Sequence, residues 1–257
     1  PAGMNLFNLS GRTALITGGS RGIGFTLAQA LAKAGAAIIL NGRDQATLDR
    51  AAATLRDTGA TKVATAAFDV TGGAGVRAGI AAIEADGVAI DILVNNAGIQ
   101  RRAPLHEFSD DDWHELMRTN LDSVYFVSKA VAQGMIARGC GKIINIASVQ
   151  AELARPTIAP YTASKGAIRN LTRGMCADWA RFGIQTNAIA PGYYDTPLNK
   201  ALVEDPAFDA WLKSRTPAGR WGRLEDLHGL AILLASSASD FICGQTMFVD
   251  GGVTSVI

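Results

Sequence analysis

The chain has 257 residues, with 24 basic against 23 acidic side chains and a formal net charge of +1. That balance gives no electrostatic footprint for nucleic acid or an anionic membrane, and no apolar run approaches the ~18 positions of a membrane span. Cys140, Cys176 and Cys243, and His106, His114 and His228, share no CxxC or metal-ligand spacing, so we expect no metal site and free thiols in a reducing cytoplasm.

No basic, apolar leader opens the chain, and Pro1-Ala2-Gly3 ahead of Met4 reads as a cloning remnant, leaving one domain over 4–257. The first apolar run, Thr13–Ile16, reads as a buried strand and leads into Thr17-Gly18-Gly19-Ser20-Arg21-Gly22-Ile23-Gly24. A helix is expected over Ile23–Ala34. Glycines there permit a tight turn and let backbone N–H groups approach a pyrophosphate, and the helix N-terminus adds partial positive charge. Gly18, Ser20, Arg21, Gly22, Ile23 and Gly24 are therefore expected to bind a dinucleotide.

The second strand, Ala36–Leu40, ends in Asn41-Gly42-Arg43. Folds that bind NAD place an acid near here for the ribose 2′-hydroxyl. This chain has Gly42 and Arg43 instead, with Arg21 in the first turn, and two guanidiniums suit a 2′-phosphate. Asp44 reads as the N-cap of the next helix, Gln45–Thr58. NADP(H) is thus the expected cofactor, held here by Asn41, Gly42 and Arg43.

Strands are expected next at Val63–Phe68, Ile90–Val94, Lys142–Ile146, Gln185–Ile189 and Met247–Val249. Helices are expected at Gly75–Ala85, Asp111–Ala137, Tyr161–Phe182 and Leu224–Ser236. The strands are rich in Ile, Val, Leu and Ala and lack polar-out alternation, as parallel strands covered on both faces do. The alternation predicts an α/β fold, a Rossmann-type doubly wound parallel sheet of about seven strands with helices on both faces. Pro191–Arg223 stands outside this rhythm and reads as a substrate-binding insertion, helical around Ala207–Lys213.

Ser148 comes just after the fifth strand, and a hydroxyl at a strand's carboxyl end can meet a substrate oxygen. Tyr161 and Lys165 lie four apart near a helix start, on one face. A phenol with pKa near ~10 is a poor base at neutrality. A unit positive charge at ~4 Å, with an effective dielectric of ~20, would favour its phenolate by about 4 kcal/mol. Tyr161 would then serve as a general base or proton donor. The pair alone is common by chance; Ser148 and the glycine turn give it context. Asn120 falls inside the long helix, where asparagine costs propensity.

The order and spacing of Thr17–Gly24, Asn95-Asn96-Ala97-Gly98, Asn120, Ser148, Tyr161 with Lys165, and Pro191-Gly192 with Thr196 resemble the short-chain dehydrogenase/reductase family along nearly the whole chain. The resemblance implies that Tyr161 is the acid/base, that Lys165 lowers its pKa and binds the nicotinamide ribose, that Ser148 orients the substrate, and that Asn120 holds a water in a proton relay. It implies that Asp69 and Val70 meet the adenine, that the turn Asn95–Gly98 (Asn95, Asn96, Ala97 and Gly98) lines the adenosine side, and that Pro191, Gly192 and Thr196 contact the nicotinamide end. It also implies a homotetramer.

Within the family, the strings Asn95–Arg102, Leu171–Cys176, Ala201–Asp205 and Arg215–Gly222 are similar to those of gluconate 5-dehydrogenases. That similarity implies an NADPH-linked interconversion of a secondary alcohol and a ketone on a sugar acid, D-gluconate and 5-keto-D-gluconate. A sugar acid needs a cation for its carboxylate. Arg101, Arg102 and Arg155 are candidates, with Arg101 preferred because it comes after the Asn95–Gly98 turn. Gln150, Glu152, Tyr193 and Asn199 are candidates for the hydroxyls. A 3-oxoacyl-carrier-protein reductase or another polyol dehydrogenase shares the catalytic motifs and stays open as the alternative. A dinucleotide-binding module without turnover would be expected to lack Tyr161, Lys165 or Ser148.

Overall fold

The computed structural model describes residues 6–196 and 199–256. Seven parallel strands make one sheet: β1 (Thr13–Ile16), β2 (Ala37–Gly42), β3 (Val63–Ala67), β4 (Ile92–Asn95), β5 (Gly141–Ile146), β6 (Ile184–Pro191) and β7 (Thr246–Val249). Their order is β3-β2-β1-β4-β5-β6-β7. The chain therefore winds outward from β1, returns to the centre at β4 and winds the other way. That switch opens a crevice beyond the carboxyl ends of the central strands.

The helices α1 (Gly22–Lys33), α2 (Gln45–Asp57), α3 (Gly73–Ala85), α4 (Asp110–Met117), α5 (Ser123–Arg138), α6 (Ala159–Trp179), α7 (Lys200–Val203), α8 (Pro206–Arg215) and α9 (His228–Ala235) surround the sheet. Side chains alternate along a strand, so each strand feeds two cores. Ile16 and Leu40 pack with Leu27 and Leu31 of α1, Leu48 of α2 and Leu234 of α9. Their neighbours Leu15 and Ile39 pack with Ile80 of α3 and Val131 and Met135 of α5. Central strands β4 and β5 are buried throughout, whereas edge strands β3 and β7 are not.

The expected helix over Asp111–Ala137 is two helices joined by a π turn at Arg118–Asp122. One extra residue in that turn rotates α5 relative to α4. Ser109 caps α4 by accepting from the Asp112 N–H at 3.1 Å, and Asp110, Asp111 and Asp112 favour its positive end. In the insertion, Asp205 accepts from Ala207 N and Phe208 N, and Pro206 starts α8. Leu224–Leu227 is a 3₁₀ turn leading into α9.

Candidate active site

A cavity of about 670 Å³ runs along the carboxyl ends of the strands, within the size range of small-molecule sites. Gly18, Ser20, Arg21, Gly22 and Ile23 line one part of it. Gly18 has φ +60, and a Cβ there would come within 3.0 Å of the Ala97 Cα. Arg21 is the N-cap of α1 in extended conformation and makes no side-chain cap. The first N–H groups of a twelve-residue helix are thus left for a ligand. The turn is stitched to the one after β4: Asn96 Nδ2 donates to the carbonyls of Thr17 (3.1 Å) and Gly18 (3.0 Å), and Thr17 Oγ1 accepts from Asn96 N and Ala97 N.

Two residues expected to bind the dinucleotide do not line this cavity. Gly24 lies beneath the turn, where a Cβ would collide with Asn96 Nδ2 and the Gly18 carbonyl oxygen. It lets α1 approach β1. Asn95 is buried and donates to Ser128 Oγ (2.8 Å) and Asn145 Oδ1 (2.9 Å), bracing β4 against β5 and α5. Ala97 and Gly98 do line the cavity, as do Asn41, Gly42, Arg43, Asp69 and Val70. Asp44 accepts from the Thr47 N–H at 2.7 Å and caps α2; hydrogen bonds from the Thr47 side chain and then its N–H hold the carboxyl below the usual range. Asp69 is lowered in the same way, by accepting from Thr71 N and Oγ1. A glycine cradle that a side chain would fill, an uncapped helix end and two cavity-facing arginines fit a dinucleotide carrying a 2′-phosphate.

At the other end, Ser148, Tyr161 and Lys165 line the cavity together. Ser148 sits just beyond β5, and its Oγ accepts from Gln150 N at 3.1 Å. Lys165 is buried, and Nζ donates to the Ile146 carbonyl at 2.7 Å. Burial brings its pKa down to about 8. Burial pushes the Tyr161 phenol up; a hydrogen bond with Ser148 and the Arg102 charge pull it back. The Lys165 nitrogen stands 5.6 Å from the Tyr161 ring centroid.

Asn120 does not line the cavity. Its Oδ1 accepts from Ile99 N (2.8 Å), and its Nδ2 donates to Ile99 O (3.0 Å) and Ser164 Oγ (3.3 Å). The side chain braces the π turn, the loop after β4 and α6 against one another.

Arg101 is also turned away. Its guanidinium meets Asp112 (3.3 Å) and Glu115 (2.7 Å) on α4, while its neighbour Arg102 faces the cavity with Arg155, Gln150, Tyr193 and Asn199. Glu152 pairs with Arg169 on α6 and leaves the site. Gln150 Nε2 donates to Tyr193 Oη at 3.3 Å, and its buried Oε1 has no partner among the described residues. Pro191, Gly192 and Thr196 line the cavity beside Tyr193.

A family model described as enoyl-(acyl carrier protein) reductase matches residues 18–254. The chain belongs to the short-chain dehydrogenase/reductase family. A gluconate 5-dehydrogenase of Gluconobacter oxydans is 58% identical over 97% of each chain. A 5-keto-D-gluconate 5-reductase of Escherichia coli is 51% identical over 97% of this chain and 98% of that one. The crystal structure of a gluconate 5-dehydrogenase from Burkholderia cenocepacia, in complex with NADP and tartrate, superimposes with a TM-score of 0.96 at 63% identity, covering 98% of this chain and 99% of that one.

Within this short-chain dehydrogenase/reductase, sequence reasoning missed the clamp made by Asn96. The Asn95-Asn96 pair was the visible signal, but two adjacent asparagines do not say which faces inward. Phe68 and Thr71, beside Asp69, also line the cavity, with nothing in their residue types to mark them.

Proposed function

We propose that the protein is an NADP(H)-dependent oxidoreductase that interconverts D-gluconate and 5-keto-D-gluconate. One observation carries this reading: Ser148, Tyr161 and Lys165 share a single cavity with the glycine turn and with Arg21 and Arg43. A cofactor on the turn and a substrate carbonyl beside Tyr161 would meet inside it. The full-length likeness to gluconate 5-dehydrogenases, one of them described with NADP, supports the cofactor and the substrate. Two cavity-facing arginines, Arg102 and Arg155, support an acidic substrate.

When bound, NADPH would supply the hydride. Ser148 orients the ketone by donating its hydroxyl hydrogen to the carbonyl oxygen. Tyr161 gives its phenolic proton to that oxygen as negative charge develops there. The positive charges of Arg102 and Lys165 offset the phenolate left behind. In the oxidative direction Tyr161 takes the proton back. Arg21 and Arg43 would hold the 2′-phosphate, and the first N–H groups of α1 the pyrophosphate.

NADPH absorbance with a panel of keto acids, ketones and acyl thioesters tests the assignment. Fastest turnover on 5-keto-D-gluconate is expected. A higher kcat/KM on 3-oxoacyl thioesters, or none on any carbonyl, would overturn it. The reading includes a cytoplasmic homotetramer. The free thiols and the exposed Trp113, Tyr125 and Phe241 support it.

A further inference from the structure

We propose that Arg155 is the specificity-determining residue for the substrate's carboxylate, and that Phe208 of the insertion sets its position. The assignment rests on the sugar-acid reading above.

Arg155 lies on the loop between Ser148 and α6 and lines the cavity. Its Nε is buried with no hydrogen-bond partner among the described residues. It takes part in none of the ion pairs among those residues. The residue as a whole is only part-buried, so the outer N–H groups of a guanidinium in the cavity wall are left for an incoming carboxylate. The Arg155 guanidinium carbon stands 5.8 Å from the ring centroid of Phe208, on α8. Phe208 is itself fixed by Trp211, Tyr193 and Trp221, with ring centroids at 5.2, 5.7 and 6.2 Å. The cation thus stands over an aromatic platform that does not neutralise it.

The backbone adds a second constraint. Thr157 has φ +71, a region that a β-branched residue enters only when its surroundings impose it. The Thr157 carbonyl accepts from Ala103 N at 3.1 Å. This bond ties the loop bearing Arg155 to the loop bearing Arg102, so two like charges are held on one wall.

The test uses Arg155→Gln, Arg155→Lys and Phe208→Leu. Steady-state reduction of 5-keto-D-gluconate by NADPH is measured for each. Calorimetric binding of D-gluconate and of D-sorbitol, whose hydroxymethyl replaces the carboxylate, is measured on the NADP-loaded proteins. Arg155→Gln is expected to raise KM for the keto acid and Kd for gluconate by about 10- to 100-fold, the loss of a charge-assisted hydrogen bond. Sorbitol binding and the KM for NADPH are expected to stay within about twofold. Arg155→Lys should fall between, because a point charge replaces a fork. Phe208→Leu should raise KM by about two- to fivefold, the loss of a cation–π contact. Equal weakening toward gluconate and sorbitol would make Arg155 structural and overturn the assignment, as would an unchanged KM. Failure of the unaltered protein to turn over the keto acid would overturn the parent reading, and this inference with it.

Discussion

Lys165 has one fixed partner, the Ile146 carbonyl, and burial leaves its pKa at about 8. Its ammonium is therefore lost as pH rises through about 8. Reduction, which leaves a phenolate on Tyr161, is expected to show kcat/KM falling as pH rises through about 8. Lys165→Met should abolish that limb and lower kcat by about 10²- to 10⁴-fold, the usual range for general acid–base support. At the cofactor end, Arg43 faces the cavity, whereas the Asp44 carboxyl is committed to Thr47. Arg43→Ala should raise the KM for NADPH by about tenfold or more while leaving the KM for NADH within about twofold, because only NADPH loses a charge-assisted contact. Steady-state kinetics with both cofactors read this directly.

At the scale of elements, the site is positioned by close approaches between turns. Gly24 of α1 packs where even one methyl group would meet the Gly18 carbonyl. Backbone cannot swing aside as a side chain can. Gly24→Ala is expected to lower stability by about 1–3 kcal/mol, read as a fall in Tm. Asn120 satisfies both the N–H and the C=O of Ile99. Asn120→Ala leaves both unpaired, at about 1–3 kcal/mol for a buried group. Its Tm should fall, and KM for the keto acid should rise more than kcat falls, since Ile99 and Gln100 line the cavity. The break of the long helix at Arg118–Asp122 could not be read in advance. One added residue barely alters the apolar period, and only the asparagine marked the spot.

Across the whole molecule, α1 and α9 meet on one face of the sheet, joined by Thr26 Oγ1 and His228 Nε2 at 2.7 Å. Burial lowers the His228 pKa, and Lys33 adds to this; Glu225 and the bond with Thr26 oppose them. A histidine whose folded pKa lies below its unfolded value of ~6.5 takes up a proton more readily when unfolded. Stability is thus full above about pH 6.5 and declines as pH falls through the folded pKa. Tm is expected to drop between about pH 7 and about pH 5, and His228→Gln should flatten that drop. Sedimentation is expected to give about four times the 26.8 kDa chain mass.

Strand–turn–helix order, the glycine turn, the arginine after β2 and the Ser148, Tyr161 and Lys165 spacing were all legible in the sequence. Each is a local pattern: periodicity reports burial, and glycine or a capping acid reports backbone geometry within a few residues. Only the tertiary structure decided direction. Arg101 and Arg102 are identical neighbours, as are Asn95 and Asn96. One of each pair faces the cavity, and the other is engaged by α4, or by Ser128 and Asn145. The way a side chain faces is set by partners far along the chain, such as Glu115 for Arg101 or Phe208 for Arg155. No local pattern contains those partners, because packing alone brings them together.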